Sequence, residues 1–288
     1  MQFLTKTLID KGWSGDKKYM AVTENGEKFL YRVSGEETYC VKQAEYEMMK
    51  RLEPLNLPMC LPVEFGENEE GVYSVQTWID GRDAEEIVPT YSKEEQYRLG
   101  CESGEILKKI HSIPAPETQE DWEIRFNRKM DRKIEGYLKC PVKAEGGEKF
   151  IEYINAHRHL IKNRPQTFQH GDYHIGNMMI DNTGKLYIID FNRFDFGDPW
   201  EEFNRIVWCA QKAPFFASGM LDGYFSGNVP DVFFDTLALY ISSNALSSVY
   251  WAVPFGEKEI SVMLNQVKDI LLWYDNMNST RPSWYKRP

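Results

Sequence analysis

The sequence of 288 residues contains no apolar run near the length that a membrane span requires, which is roughly 20 residues. Its first residues, MQFLTKTLIDKGWSGDKK, lack the long apolar segment of a secretory signal. Cysteines are few, odd in number and without a Cys-x-x-Cys pair, which argues against a disulfide framework and against a zinc knuckle. We therefore expect a cytoplasmic protein whose cysteines are reduced and structural; they are Cys40, Cys60, Cys101, Cys140 and Cys209.

Basic residues are also fewer than acidic residues in this chain. The chain has 34 lysines and arginines against 44 aspartates and glutamates, which gives a formal net charge of -10 at pH 7. This balance argues against general affinity for nucleic acid or for an anionic membrane surface and is compatible with cationic ligands. Hydrophobic residues make up 42% of the chain and aromatic residues 14%, which indicates a globular protein of one large domain or two lobes.

The chain up to about residue 80 has the pattern of a small sheet. Segments 17–23 and 27–34 are β-rich and are joined by Asn25-Gly26, a strong hairpin signal. A helix is predicted over 44–52 and a second hairpin over 61–79. We expect four or five strands and one helix in an N-terminal lobe that comprises residues 1–79.

The remainder, residues 80–288, has mainly helical periodicity. Ser92 and Glu95 have the spacing of a capping box, which begins a helix that runs to about His111 and ends at the segment IPAP. Further helices are predicted over 146–163, 201–212, 231–250 and 257–276. The predicted fold class is α+β, with a small β-rich N-terminal lobe and a larger, mainly helical C-terminal lobe.

One segment, HGDYHIGNMMIDNTGKLYIIDFNRFDFG at 170–197, concentrates polar side chains that suit catalysis. Residues 178–190 have the pattern of a hairpin that turns at 181–184. Asn177 precedes the first strand and Asp190 ends the second, so both emerge at the same end of the hairpin, where both can reach one cation. Asp172 lies five residues before Asn177. This arrangement suits phosphoryl transfer, which needs one carboxylate near the acceptor hydroxyl and an Asn and an Asp on magnesium.

Two other interpretations of this segment are weaker. His170, Asp172 and His174 alternate as zinc ligands can, but no further cluster of ligands completes such a site. Asp195-Phe196-Gly197 spells the magnesium-binding tripeptide of protein kinases, yet Asp195 lies five residues beyond the predicted strand end, too late to face Asn177 across the hairpin. No Ala-Pro-Glu segment follows, which disfavours a protein kinase.

The segments HGDYHIGN, IIDF and FGDPWEEFNR together resemble the catalytic-loop and metal motifs of the aminoglycoside phosphotransferase family, which is kinase-like in fold and related to choline kinase. The resemblance spans most of the chain. It implies a two-lobed, ATP- or GTP-dependent enzyme with Asp172 as catalytic base and with Asn177 and Asp190 as magnesium ligands. It also implies that His170 organises the catalytic loop and that Glu202, where the family usually has an Asp, braces this loop.

Similarities in the first 79 residues concern the nucleotide. The segment 12–15, Gly-Trp-Ser-Gly, resembles a shortened phosphate-covering loop. Glu45 matches the family's helix glutamate that pairs with a strand lysine, and Arg32, which can bind phosphate bidentately, occupies the matching strand position. The resemblance implies that Ser14, Arg32 and Glu45 belong to the nucleotide site and that backbone groups of Thr77 and Ile79 bind the purine.

The acceptor is predicted from charge. Asp195, Asp198 and Glu201 closely follow the magnesium motif, and acids in this position would hold ammonium groups. We expect a kinase that phosphorylates a hydroxyl of a small cationic molecule, with an aminoglycoside as the family-level candidate. The alternatives are a kinase for choline, another amino alcohol or a sugar, and a nucleotide-binding pseudokinase, because Arg32 replaces the usual lysine. Neither nucleic acid nor a membrane is an expected partner.

Overall fold

The computed structural model of the protein describes residues 1–10 and 15–288. These residues form two compact units: Met1–Ala84 together with Asn177–Arg193, and Glu85–Gly176 together with Phe194–Pro288. Most strands belong to the first unit and most helices to the second, as the predicted α+β class requires. In these described ranges the strands are β1 (Thr5–Ile9), β2 (Lys17–Val22), β3 (Lys28–Ser34), β4 (Pro62–Asn68), β5 (Gly71–Thr77), β6 (Gly81–Asp83), β7 (Thr167–Gln169), β8 (Met178–Asp181), β9 (Leu186–Ile188) and β10 (Asp195–Gly197).

The helices agree with the sequence periodicity over most of the second unit. In the same ranges they are α1 (Tyr39–Leu52), α2 (Ala84–Ile87), α3 (Lys93–Ile110), α4 (Trp122–Lys139), α5 (Gly147–His157), α6 (Ile206–Lys212), α7 (Pro214–Phe225), α8 (Asp231–Ala252) and α9 (Glu257–Trp273). Ser92 is the N-cap of α3, because its hydroxyl accepts a hydrogen bond from the Glu95 N–H at 3.2 Å, whereas the Glu95 carboxylate pairs with Arg98 and does not complete a capping box. The predicted helix over 201–212 is a 3-10 helix to Arg205 followed by α6.

The first unit is built on an antiparallel sheet with the strand order β1-β2-β3-β5-β4. Gly26, in the turn between β2 and β3, has a φ of +80°, which glycine adopts without strain. Successive residues of a strand point to opposite faces of the sheet. One face carries a buried cluster, and its members are Ala21, Tyr31, Val33 and Val75. Arg32, between two members of this cluster, therefore points to the other face.

The hairpin predicted over 178–190 is the pair β8 and β9, and it belongs to the first unit. β6 pairs with β8, and the Ile188 N–H donates to the Pro58 carbonyl at 2.9 Å. The sequence pattern assigned these residues to the lobe 80–288, whereas in the structure residues 177–193 group with the first unit. The first unit also extends to residue 84 instead of 79, because β6 pairs with β8. Both differences arise from pairing between strands that are distant in the sequence.

In the second unit, α3 and α7 approach each other at backbone distance. A Cβ atom built at Gly104 would lie 2.2 Å from the Met220 carbonyl oxygen, and one at Gly219 would lie 2.2 Å from the Tyr97 carbonyl oxygen. A glycine four residues away on each helix is equally crowded, and these are Gly100 and Gly223. Glycine weakens an isolated helix, so its presence here follows from packing and not from helix propensity.

The sequence patterns did not predict the helices α2, α4 and α7 or the strands β1, β6, β7 and β10. Charged residues are frequent in α4, but its apolar residues recur at helical spacing, and Trp122, Phe126 and Met130 are buried. Asp121 caps this helix, because its carboxylate accepts the Ile124 N–H at 3.2 Å. The prediction missed α4 because the density of charge conceals a regular apolar stripe.

The membrane and cysteine expectations can be compared with the described residues. None of the helices in this part of the chain combines the length and the hydropathy needed to cross a bilayer. All five cysteines are free thiols, and three of them are buried: Cys60, Cys140 and Cys209. Cys40 is exposed, so the expectation of a structural role does not extend to it.

We predict that Gly104→Ala destabilises the second unit, although alanine favours helix formation by about 1 kcal/mol over glycine. The added methyl group overlaps the Met220 carbonyl, and we expect the free energy of unfolding to fall by about 1–3 kcal/mol, the usual cost of overpacking. Denaturant unfolding measures this change. The control is Glu105→Ala, an exposed position on the same helix, with an expected change within about 0.5 kcal/mol. An unchanged midpoint for Gly104→Ala would contradict the prediction.

Candidate active site

The loop that follows β7 is held by a buried carboxylate. The Gly171 N–H donates to both oxygens of Glu202 at 3.0 and 3.2 Å, and the Tyr173 N–H donates to one of them at 3.3 Å. His170 is fully buried, and its Nδ1 accepts the Asp172 N–H at 3.3 Å. Both side chains, Glu202 and His170, thus bind the backbone of the loop that carries Asp172.

The Asp172 side chain is largely buried, with 16% of it exposed, and it lies between two basic groups. Arg205 Nε is 3.3 Å from Oδ1, and His174 Nε2 is 3.6 Å from the same oxygen. Since His174 Nδ1 accepts the Gly176 N–H at 3.1 Å, the proton of the neutral ring lies on Nε2, which faces Asp172. The guanidinium and the imidazole thus fix the orientation of this carboxylate.

Asn177 and Asp190 lie at the same end of the β8–β9 hairpin. The Ile189 N–H donates to the Asn177 carbonyl at 3.0 Å, which places the residues flanking the two strands side by side, as the hairpin pattern predicts. Asp190 has a left-handed φ of +69°, a conformation that is uncommon for residues other than glycine and is concentrated at functional positions. Its side chain is 26% exposed.

Arg32 binds two carboxylates of the first unit. Its Nε and Nη2 donate to Asp16 at 3.1 and 2.7 Å, and its Nη1 donates to Asp190 at 3.1 Å. Asp16 also accepts the Ser34 hydroxyl at 2.7 Å. Burial opposes ionisation of Asp16, but Arg32 and its other donors outweigh burial and lower the pKa of this carboxyl. Asp16 is therefore a buried anion that anchors Arg32.

Glu45 on α1 pairs with a lysine of its own helix. Lys42 Nζ lies 3.2 Å from Glu45 and 3.0 Å from Asp16. The family pattern suggests that Glu45 would pair with the strand position held by Arg32, but Arg32 donates hydrogen bonds to Asp16 and Asp190 instead. The Nε and Nη2 atoms of Arg32 both donate to Asp16 Oδ2, and Nη1 donates to Asp190 Oδ1, so these two carboxylates occupy the guanidinium.

The residues predicted to bind the purine line a cavity of about 440 Å³ within the first unit. Thr77 and Ile79 belong to it, with Met59, Leu61 and Tyr187 as further apolar or aromatic walls. The Thr77 N–H already donates to the Leu61 carbonyl at 2.9 Å, so this group is engaged within the protein. The volume lies in the range of small-ligand pockets. Ser14, also predicted for the nucleotide site, lies outside the described residues.

Each of the three acids predicted to hold the acceptor has a basic partner in the second unit. Asp195 pairs with Arg125 at 3.0 Å and has a half-exposed side chain (48%). Glu201 is mostly buried and pairs with Lys129 at 3.0 Å. The pairs neutralise these acids locally, which removes much of the charge argument for a cationic acceptor.

Asp198 does not fit the predicted contact with the acceptor. It is fully buried, and Arg164 binds both of its oxygens at 2.7 and 2.9 Å. The Tyr240 hydroxyl and the Trp200 N–H donate to the same carboxylate. This carboxylate has no exposed surface and accepts four internal hydrogen bonds, so it links buried parts of the second unit and is not accessible to a ligand.

The described residues do not support the zinc alternative. Within residues 1–10 and 15–288, no group of three or more His, Cys, Asp or Glu side chains is placed to hold a metal ion. His170 instead binds the backbone of its own loop. Asp195, from the kinase-like tripeptide, lies in β10 of the second unit, whereas Asp190 lies beside Asn177 in the first.

Three residues that contact Arg32, Glu45 or Asp172 were not among the sequence-based candidates: Asp16, Lys42 and Arg205. Lys42 and Arg205 each lie three residues from a candidate acid on a helical segment, Glu45 and Glu202, so helical spacing could have indicated them. Asp16 carries no local signal, because its partners come from β3 and α1.

Lys133 on α4 is partly buried beside Glu201. Burial, together with repulsion from Lys129 and Arg205, lowers the pKa of Lys133 to about 7, against the attraction of Glu201. Glu201 is affected in the opposite sense: burial disfavours its ionised form, but Lys129 and Lys133 outweigh burial and lower its pKa. Basic side chains thus surround Glu201 in the second unit, and they are Lys129, Lys133 and Arg205.

A comparison with models of protein families gives a match over most of the chain. The model of the phosphotransferase enzyme family matches residues 6–233, well over half of the chain. No curated protein matches the sequence at a significant level.

Several solved structures have the same fold. A thermostable mutant of aminoglycoside phosphotransferase APH(4)-Ia, in a ternary complex with ADP and hygromycin B, is 15% identical with a TM-score of 0.67, and the match covers 94% of each chain. A GDP complex of an aminoglycoside 2'-phosphotransferase-IIIa mutant is 12% identical with a TM-score of 0.70, over 97% of this chain and 95% of that one. ADP-bound APH(2'')-Ib is 17% identical with a TM-score of 0.64, over 99% and 95%. At such identities the similarity shows the protein-kinase-like α+β fold.

We predict that Lys133→Met stabilises the protein in a pH-dependent manner. The unfolded chain holds this lysine at its ordinary pKa of 10.5, so between about pH 7 and pH 10.5 the unfolded state binds more protons and stability rises with pH. Removing the amine should raise the free energy of unfolding by roughly 1–3 kcal/mol at about pH 6.5 and by little at about pH 10.

Urea unfolding at these two pH values measures the effect. The control is Lys139→Met on the same helix, whose side chain is 74% exposed and which should change stability by no more than about 0.5 kcal/mol at either pH. A gain for Lys133→Met that is equal at both pH values, or a loss at the lower one, would contradict the prediction.

Proposed function

The chain belongs to the phosphotransferase enzyme family, and from this premise we propose that it transfers the γ-phosphate of ATP or GTP to a hydroxyl group of a small molecule. Nucleotide-dependent phosphotransfer is the activity of the family; the donor and the acceptor are the proposal. The observation that carries it is the loop in which Glu202 and His170 hold the backbone around Asp172.

In the proposed reaction, Asp172 is the catalytic base. Arg205 and His174 hold its carboxylate through Oδ1, so the base is oriented before the acceptor arrives. The carboxylate accepts the proton of the acceptor hydroxyl as the oxygen attacks the γ-phosphorus, and the nucleoside diphosphate leaves. Positioning of this kind supplies much of the catalysis in phosphoryl transfer.

The residues that would hold magnesium are Asn177 and Asp190. Amide and carboxylate oxygens are suitable ligands for this hard cation, and the two residues share one end of a hairpin. A magnesium ion held by these residues would neutralise charge on the phosphates. In the structure Arg32 donates to Asp190 Oδ1, so Arg32 keeps the carboxylate in place and offsets its charge.

The nucleotide is proposed to bind the first unit. Thr77 and Ile79 contribute to the cavity of about 440 Å³, which suits a purine. Arg32 and Glu45 belong to the charged cluster on the sheet face that Asp190 also joins, and Ser14 remains proposed from the sequence alone.

The acceptor is proposed to be a small cationic molecule, and an aminoglycoside is the first candidate because the similar solved structures are aminoglycoside phosphotransferases. Asp195 is the acid that supports this proposal, since its exposed pair with Arg125 leaves the carboxylate accessible to a competing ammonium group. Glu201 retains a lesser role because Lys129 already neutralises it. Amino alcohols and sugars are the alternative acceptors.

We predict that a scan of aminoglycosides, amino alcohols and sugars with ATP and GTP identifies an acceptor-dependent release of ADP or GDP. With the best acceptor, Asp172→Asn should lower turnover by about 10²-fold or more, the usual scale for loss of a general base, while nucleotide affinity and fold are retained. Turnover of this variant near the wild-type value would remove Asp172 from the role of base. Nucleotide binding without turnover on any acceptor would indicate a pseudokinase.

We predict that substitutions of the two aspartates in the segment IIDFNRFDFG, Asp190 and Asp195, have different effects on magnesium-dependent nucleotide binding. Asp190→Ala should abolish magnesium-dependent nucleotide binding, because a proposed metal ligand is lost. Asp195→Ala should leave nucleotide binding nearly unchanged and raise the acceptor KM by a few-fold to about tenfold, as expected for a partly exposed pair. Calorimetric titration with and without magnesium, and steady-state kinetics, measure both effects. The opposite pattern would assign the metal to Asp195.

A further inference from the structure

Lys18 and Arg32 lie side by side on one face of the five-stranded sheet. The antiparallel register of β2 and β3 pairs Lys18 directly with Arg32, and directly opposed residues point to the same face. The charges that act on Lys18 belong to Arg32, Asp190, Asp16 and Lys42, so the lysine lies within the same cluster.

The preceding residue, Lys17, lies on the opposite face. It pairs with Val33, a member of the buried apolar cluster, and its charge acts on Glu70, which accepts the Tyr31 hydroxyl. Lys17 is exposed. Two adjacent lysines of one strand therefore have separate surroundings, and only Lys18 faces the candidate metal ligand Asp190.

The hydrogen-bonding capacity of Arg32 is largely used within the protein. Three of its nitrogens donate to Asp16 and Asp190, and only 8% of its side chain is exposed. A phosphate could engage this guanidinium only by replacing a carboxylate that is already bound. Arg32 is thus better suited to position Asp190 than to serve as the main cation for a polyphosphate.

The ammonium group of Lys18 is not bound by the carboxylates of the described residues in this way. Within the part of the chain that the structure describes, no carboxylate forms an ion pair with it, whereas Arg32 and Lys42 each bind two. Burial and the adjacent Arg32 lower the pKa of Lys18, against the attraction of Asp190 and Asp16. A partly desolvated ammonium without a paired anion is stabilised by an incoming anion.

We propose that Lys18 binds a phosphate group of the nucleotide, while Arg32 positions Asp190. The inference rests on the proposed function, since it assigns a contact to the proposed donor. Lysine is a compact charge on a flexible stem and can follow a phosphate, whereas the fork of Arg32 is fixed by two carboxylates. The strand lysine that the family pattern places at position 32 is supplied here by the neighbouring strand β2.

The test compares Lys18→Met with Lys17→Met in the full-length protein. The affinities of the magnesium nucleoside diphosphate and of the matching nucleoside are measured by calorimetry, with adenine or guanine according to what the wild type binds. Lys18→Met should weaken the affinity for the diphosphate by about tenfold or more, which is the equivalent of one charge-assisted hydrogen bond. The affinity for the nucleoside should stay within about twofold of the wild-type value. Lys17→Met should change neither affinity by more than about twofold.

Lys18→Arg should restore part of the diphosphate affinity, because it returns the charge. Thermal unfolding shows whether each variant is folded, and Lys18→Gln replaces Lys18→Met if the latter is not. Diphosphate affinity of the variant within about twofold of wild type would overturn the inference, and so would an equal loss for diphosphate and nucleoside, which would indicate a structural role. A wild-type protein that binds no nucleotide would instead reject the proposed function and the inference with it.

Discussion

The buried pair of Arg32 and Asp16 is the interaction on which the candidate nucleotide site depends. Arg32 comes from β3, Asp16 precedes β2, and the same network reaches Lys42 on α1 and Asp190 after β9. It thus links the five-stranded sheet, its helix and the hairpin within one unit. Removing charges from water is costly, and a protein in which well-packed apolar residues replace a buried ion pair is often equally stable or more stable. We infer that the network is retained because it orients Asp190 and not because it contributes net stability.

Buried carboxylates have a similar part in the second unit. Glu202 organises the loop around Asp172 through backbone N–H groups, and Asp198 joins Arg164, Tyr240 and Trp200. Neither side chain has surface to offer a ligand. In both units, acids with internal donors hold the framework, while Asp172, Asp190 and Asp195 keep some exposure. The acids that can contact a ligand are thus distinguished from the structural acids by the exposure of their side chains and not by their position in the sequence.

The local patterns predicted most elements because each of them depends on neighbours in the sequence. Asn25-Gly26 specifies a hairpin through the turn itself, and Ser92 specifies the start of α3 through its hydroxyl. The turn at 181–184 brought Asn177 and Asp190 to one hairpin end, because it returns the second strand antiparallel to the first. By contrast, α4 was missed because its charges dominate its composition, and the glycines of α3 and α7 gave no sign of the close packing that requires them.

The sequence by itself determined the α+β fold class and the hairpin at one end of which Asn177 and Asp190 lie, since these follow from periodicity and turn chemistry. Only the tertiary structure decided which charges meet. Asp16 reaches Arg32, Arg164 covers Asp198, Arg205 reaches Asp172, and Lys18 remains without a carboxylate partner among the described residues. The physical reason is that an ion pair depends on distance and burial, and both are set by strand pairing and helix packing between segments that lie far apart in the chain.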